Sequence, residues 1–271
     1  MEETKSKSGI LGLMSPGQVF ALGLGGGIMV LCTLGFLILL PSVLKGGLLG
    51  NSNNRPSSDI DTVDSNQVGN AGSGPKLSDV AKAVGLDYEK FKSCVSAQKY
   101  ASKISADETE AQAAGAQGTP YTVIIGPKGE TVPIKGAYPF AVLDGVIKNM
   151  LGQKVDAANL PPVEKVKIRA ADGSKEPIRG KASAKITLVE YSDLECPFCK
   201  QFHKTMEQVI QAYPNDVKWV YRHMPLDSLH SKARTEANAT ECAGEQGKFW
   251  EFTDSIFKVT PSNDGMDITL S

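Results

Sequence analysis

The stretch "SDLECPFCKQF", Ser192–Phe202, decides how this chain is to be read. Cys196 and Cys199 sit three positions apart, with Pro197 and Phe198 between them and an apolar helical pattern after them. Upstream, "KITLVEYS" is rich in β-branched and aromatic residues and reads as a strand. Downstream, Phe202, Met206, Val209, Ile210 and Tyr213 recur at helical spacing. Cys196 then stands where a strand ends and a helix begins. A thiol there faces the unpaired amides and positive dipole end of the helix, which lower its pKa. Pro197 suits the first helical position, where a missing N–H costs nothing. Cys199, one turn in, can reach back to close a disulfide. Thiol–disulfide exchange needs that pair: a thiolate nucleophile and a resolving thiol behind it. Two other uses of the motif stay open. His203 makes C-x-x-C-x-x-x-H, half of a zinc site, but no second C-x-x-C completes four ligands, so no metal is expected. A structural disulfide is the other.

Working outward, "VKWVYRHMPL" reads as a second strand, and "SKARTEANATECAGEQGKFWEFTDSIFK" as helix broken near Gly247. Trp219, Phe249 and Trp250 read as core, and His203, His223 and His230 as surface or packing residues. On the N-terminal side, residues 76–117 show helical spacing with breaks at Gly85 and near Ser105. Tyr121–Ile125, the turn "GPKGE" and "TVPI" read as a hairpin, and "PFAVLDGVIKNMLG" as an amphipathic helix ended by Gly152. Residues 153–185 form a mixed, proline-containing joining segment with one short candidate strand, "KVKIRA".

The first 75 residues differ in kind. Residues 18–41 carry no charge and are about long enough to cross a bilayer core as a helix. Residues 1–17 then read as a short cytoplasmic segment, with Lys5 and Lys7 favouring that side. Residues 42–75, dominated by Gly, Ser, Asn and Asp, read as a flexible linker. In this reading residues 76–271 lie on the extracytoplasmic side of the cell membrane. Of the five cysteines, Cys32 falls in the span, and the remaining four permit two disulfides in an exported domain. A net charge of −1 with no basic stripe argues against nucleic-acid binding.

At this point the residues carry a resemblance. "ITLVEYSDLECPFCKQFH", "VYRHMPLDSLH" and "ECAGEQGKFWEF" resemble the first half of a DsbA-type thioredoxin-fold thiol oxidoreductase. "GLDYEKFKSC", "GAQGTPYTVIIG" and "GAYPFAVLDGVI" resemble its second half. The resemblance implies an α/β thioredoxin-like fold with a helical insertion and no cofactor beyond a redox-active disulfide. It implies Cys196 as nucleophile, Cys199 as resolving thiol and Glu190 as a buried proton relay. Thr119-Pro120 matches the family's cis-proline loop, which with Pro197 and Phe198 would meet the substrate. It implies a second disulfide between Cys94 and Cys242. Phe198 replaces a histidine found in some relatives, which implies a milder oxidant. Expected partners are reduced exported polypeptides and a membrane reoxidising protein of the DsbB or VKOR kind.

The halves stand in reverse order. Residues 76–152 match the family's C-terminal half and residues 186–271 its N-terminal half. The simplest reading is a circular permutation, with the old termini joined through 153–185; two chains swapping halves is the alternative. The sequence therefore reads as a membrane-tethered disulfide oxidase. A reductase or isomerase of the same fold, or a non-catalytic tethered module, remains the alternative.

Overall fold

The computed structural model describes residues 74–270. Three helices come first: α1 (Leu77–Ala83), α2 (Tyr88–Ser96) and α3 (Ala101–Ala113). A hairpin follows, β1 (Tyr121–Ile125) and β2 (Thr131–Lys135), then α4 (Phe140–Met150). After the joining segment come β3 (Ile178–Gly180), β4 (Ile186–Ser192), α5 (Pro197–Ala212) and β5 (Val217–His223). Helices α6 (Ala233–Gly244) and α7 (Phe249–Val259) complete the series. The 18–41 span and the linker up to residue 73 lie outside the described residues. Among the described residues no helix is long and apolar enough to cross a membrane.

The strands form one five-stranded mixed sheet in the order β2-β1-β4-β5-β3. β4 and β5 run parallel at its centre, and the other pairs are antiparallel. Both faces are covered. Ile124, Ile134, Leu188, Trp219 and Tyr221 enter a large core with Phe202 and Met206 of α5 and Phe252 and Ile256 of α7. Val123, Val189, Tyr191 and Val220 enter a smaller core on the opposite face with Ala111 of α3. A strand buried on both faces loses the polar–apolar alternation of a surface strand.

The two ends of the described chain meet. Lys76 and Asp267 form a parallel bridge, with Leu77 N donating to Asp267 O at 2.9 Å and Asp267 N to Pro75 O at 2.9 Å. Helices α1–α3 pack on α6 and α7, so one helical lobe is built from segments far apart in sequence. Cys94 of α2 and Cys242 of α6 are joined by a disulfide within that lobe, 148 positions apart.

Two details of the helical reading change. There is no break at Ser105, because α3 runs unbroken through it; the break falls at Gln98, whose φ of 47° stops α2. "KVKIRA" is not a strand: residues 165–170 have no regular structure. They are held by side chains instead. Arg169 pairs with Asp107, with Glu110 at 2.9 Å and with Glu176 at 2.9 Å. Beneath it lies Arg222 of β5, fully buried. It donates to Glu176 at 2.7 Å, Glu110 at 2.8 Å and the Tyr191 hydroxyl at 3.1 Å. A buried guanidinium is tolerable only when paired and hydrogen-bonded in this way. The network fastens the joining segment across the smaller core.

Candidate active site

The site forms where β4 ends. Cys196 is the N-cap of α5, and Pro197 opens the helix. Both Cys196 and Cys199 are free, buried thiols. The Thr119-Pro120 peptide is cis, and β1 carries it alongside β4. The Cys196 thiol donates to the Thr119 carbonyl at 3.5 Å. The topology thus brings two residues 77 positions apart to one point. A cleft of about 360 Å³ runs along this loop, lined by Gly118, Thr119, Pro120, Lys135 and Gly136. Gly136 N bonds Pro120 O at 3.0 Å and has a φ of 118°, a conformation that suits glycine.

The two thiols are electrostatically unlike. Cys196 is lowered to about 6. Its hydrogen bond with Cys199 is the main cause; burial opposes it, and Thr119 and the first-turn amides of Cys199 and Phe198 add to it. Cys199 is fully buried and pushed well above the usual thiol range, by burial first and then by the neighbouring Cys196. Phe198, between them in sequence, is 62% exposed and its ring cannot donate a hydrogen bond.

Glu190 lies on the large-core face of β4, in register with Thr122 on one side and Tyr221 on the other. It is fully buried, and burial raises its carboxyl to about 7. The Ser192 hydroxyl and the Trp219 indole N–H stand near enough to oppose that rise, but neither makes a close hydrogen bond to the carboxyl, and the hydroxyls of Thr122 and Tyr221 are likewise without close partners. The charge of Glu190 is felt at Cys199, and the charges of Glu190 and Cys199 are felt at Tyr221. A patch of unsatisfied polar groups under a resolving thiol suits proton movement.

Asp193 was not singled out by its sequence position, yet it touches both cysteines. Its carbonyl accepts from Cys196 N at 3.2 Å, and its amide donates to Cys199 Sγ at 3.5 Å. Its carboxylate accepts from Glu195 N at 2.8 Å, from Leu226 N at 2.7 Å and from His230 Nδ1 at 2.9 Å. His230 is therefore not a surface residue; it is 5% exposed. Burial works against its charge, but the bond to Asp193 and the charges of Asp193 and Cys196 hold its pKa above the usual value. Two more carboxyls lie behind. Glu195 accepts from Lys232 N at 2.5 Å and is raised by burial. Glu236 accepts from Met266 N at 2.7 Å and is raised to about 7, by burial first. The acidic run before the cysteines was the available signal, since buried carboxylates beside a thiolate demand a cation.

The other two histidines pack. His203 stacks on Trp219 and Phe257 and bonds Asp254 at 2.8 Å. His223 bonds Glu241 at 3.1 Å. Among the described residues one group has metal-ligand spacing: His203, Glu207 and Asp254, with neither cysteine in it. Arg179 already pairs with Asp254 at 2.7 Å, so the half-zinc reading of the cysteine motif finds no support there. Trp219 is fully buried and Phe249 is 6% exposed, whereas Trp250 is only partly buried, packed against the same core.

Comparison with known proteins places each half separately. Residues 66–148 match the DSBA-like thioredoxin domain, and residues 173–265 match a thioredoxin family model. Among curated proteins, the chain is 40% identical over 96 residues to a protein of Mycolicibacterium gilvum named Na(+)/H(+) antiporter NhaA 1. It is 33% identical over 132 residues to the Na(+)/H(+) antiporter NhaA of Herminiimonas arsenicoxydans. These matches cover 35% and 47% of this chain but only 16% and 20% of the relatives' lengths. The solved structure of Pseudomonas aeruginosa DsbA2 shares 36% identity over 37% of this chain and 55% of its own, with a TM-score of 0.32. DsbA-like oxidoreductases work through a redox-active disulfide rather than a cofactor. The described domain has a thioredoxin fold of the DsbA-like type, with the DSBA-like match preceding the thioredoxin match along the chain.

Proposed function

We propose that this chain is a membrane-tethered, extracytoplasmic thiol–disulfide oxidoreductase that introduces disulfides into exported proteins. The observation that carries the reading is the unequal pair: Cys196, acidic and facing the cis-proline loop, against Cys199, buried and basic. In the oxidised enzyme a substrate thiolate attacks Cys196 Sγ. The Cys196–Cys199 bond breaks, and Cys199 leaves as a thiolate that takes a proton, with Glu190 as its donor. The substrate's second thiolate then attacks its own sulfur in the mixed disulfide. The substrate disulfide forms, and Cys196 leaves as a stabilised thiolate. Two electrons pass from substrate to enzyme, and a membrane partner of the DsbB or VKOR kind takes them away. Polypeptide substrates are supported by exposed apolar side chains around the site. Phe198 is 62% exposed, and Leu229, beside His230, is 70% exposed.

The tether is supported by the uncharged run 18–41. Ion transport is not part of the proposal. A circular permutation is supported by the two family matches falling on successive segments, with the cysteine motif in the second, and by the adjacent ends at Lys76 and Asp267. The direction of electron flow is tested by titrating the pair against glutathione. Strong oxidants lie near about −120 mV and reductants near about −270 mV. A value toward the first supports the oxidase; one toward the second favours the reductase, in keeping with Phe198 as a non-donating neighbour. In addition, the Cys196 thiolate of Cys199→Ser should attack a supplied disulfide, such as oxidised glutathione, and hold the mixed disulfide while the partner's other sulfur leaves as a thiolate. Failure to form that mixed disulfide would overturn the enzyme reading.

A further inference from the structure

The loop between β4 and α5 places acidic residues where a thiolate must form. Asp193 is 2% exposed and Glu195 fully buried, and Glu236 of α6 is fully buried behind them. Carboxylates at that range oppose ionisation of Cys196. Glu195 and Glu236 are held toward their neutral forms by burial. Asp193 is placed differently: its carboxylate accepts from the amides of Glu195 and Leu226 and from the His230 ring. Its backbone is bonded to both cysteines, so its charge cannot move away from them.

We propose that His230 is a positioning residue for the Cys196–Cys199 centre, its imidazolium neutralising Asp193 and locking the loop that aims both thiols. The inference rests on the reading of Cys196 as the nucleophile. The groups facing His230 come from every element around it. Asp193, Glu195 and Cys196 face it from the β4–α5 loop and Asn263 from the C-terminal segment; Glu236 and Lys232 at α6 act on those carboxylates. It is the buried cation of this cluster; Lys232 is only half-buried, bonds Glu195 through its amide and acts by charge on Glu195 and Glu236. Nδ1 donates to Asp193, which fixes the tautomer of any neutral form and leaves protonation to add charge.

The charge effect is reciprocal: if His230⁺ favours the Cys196 thiolate, the thiolate must favour His230⁺ by the same factor. Two titrations of the full chain test this. The first follows thiolate absorbance of reduced parent and His230→Asn, which keeps a donor near Nδ1 but loses the charge. The variant should make Cys196 about tenfold less acidic, and its disulfide should become less oxidising. Superimposed parent and variant curves would overturn the proposal. The second follows the His230 ring by NMR in the parent and in Cys196→Ser. Its pKa should fall in the serine variant; an unmoved titration would overturn the proposal even if His230→Asn failed to fold. If Cys196 of the parent ionises only in the ordinary thiol range, the oxidoreductase reading fails and this inference with it. A low parent pKa with no response to His230→Asn defeats the inference alone.

Discussion

Glu190 shows what burial does to one residue. Burial raises its carboxyl from 4.5 to about 7, with Ser192 and Trp219 opposing the rise only in part. In the unfolded chain the same group ionises near the ordinary value. Between those two pH values the folded state holds a proton that the unfolded state releases, so stability falls as pH rises. The loss begins above the unfolded pKa and is complete above about pH 7. It amounts to about 3 kcal/mol, since each tenfold of proton affinity is about 1.4 kcal/mol. Urea unfolding of Glu190→Gln should lack this decline between pH 5 and 8, while its rate of mixed-disulfide formation, the step in which Cys199 leaves, should fall. A decline of unchanged size in the variant would assign the pH dependence to Glu236, the other carboxyl raised to about 7. Cys196 moves the opposite way. Its alkylation rate in the reduced chain should be half-maximal near pH 6, whereas an ordinary thiol would rise only toward pH 8–9.

The elements differ in how plainly the sequence announces them. The β-branched run of β4 and the helical spacing of α5 are local signals, and both elements are where those signals lie. The hairpin of β1 and β2 was equally legible, since its turn residues separate two β-rich runs. β3 was not: three residues with a proline before them carry too little pattern. It exists because it pairs with β5, and Gly180 allows this with a φ of 100° and no Cβ. An added Cβ would come within 2.7 Å of Val217 O. Arg169 and Arg222 were also silent, because their carboxylate partners lie as far as 112 positions away. Nothing local marks an arginine as buried. Removing one member of such a network strands the rest: Arg222→Ala should cost about 3–5 kcal/mol in chemical unfolding. A cost below 1 kcal/mol would mean that water replaces the guanidinium. For the site the same distinction holds. The strand–Cys-Pro-x-Cys–helix pattern is local, but the meeting of Asp193 with His230 depends on a loop 37 positions on.

At the scale of the molecule, a thioredoxin fold of the DsbA-like type is assembled from two segments, the DSBA-like match preceding the thioredoxin match. The sheet order β2-β1-β4-β5-β3 needs both segments, because the central strands come from one and the hairpin from the other. The Cys94–Cys242 disulfide closes a loop that contains all five strands of the sheet. Cross-linking so long a loop restricts the unfolded chain, and its loss should cost about 2–4 kcal/mol. Cys94→Ser with Cys242→Ser should lower the melting temperature and leave the acidity of Cys196 unchanged. A matching change in Cys196 would mean that the disulfide also shapes the site.

That disulfide lies on one half and the other of the joining segment, and the segment has little regular structure between residues 160 and 175. A protease that cuts once there would not separate the pieces. The nicked protein should migrate as a single species on a non-reducing gel and as two fragments after reduction. Inside an oxidising compartment, such a cut would turn one polypeptide into a covalent heterodimer. The main-chain connection across 153–185 is then a device for making both halves together, and sulfur, rather than peptide, is what keeps them in one molecule afterwards.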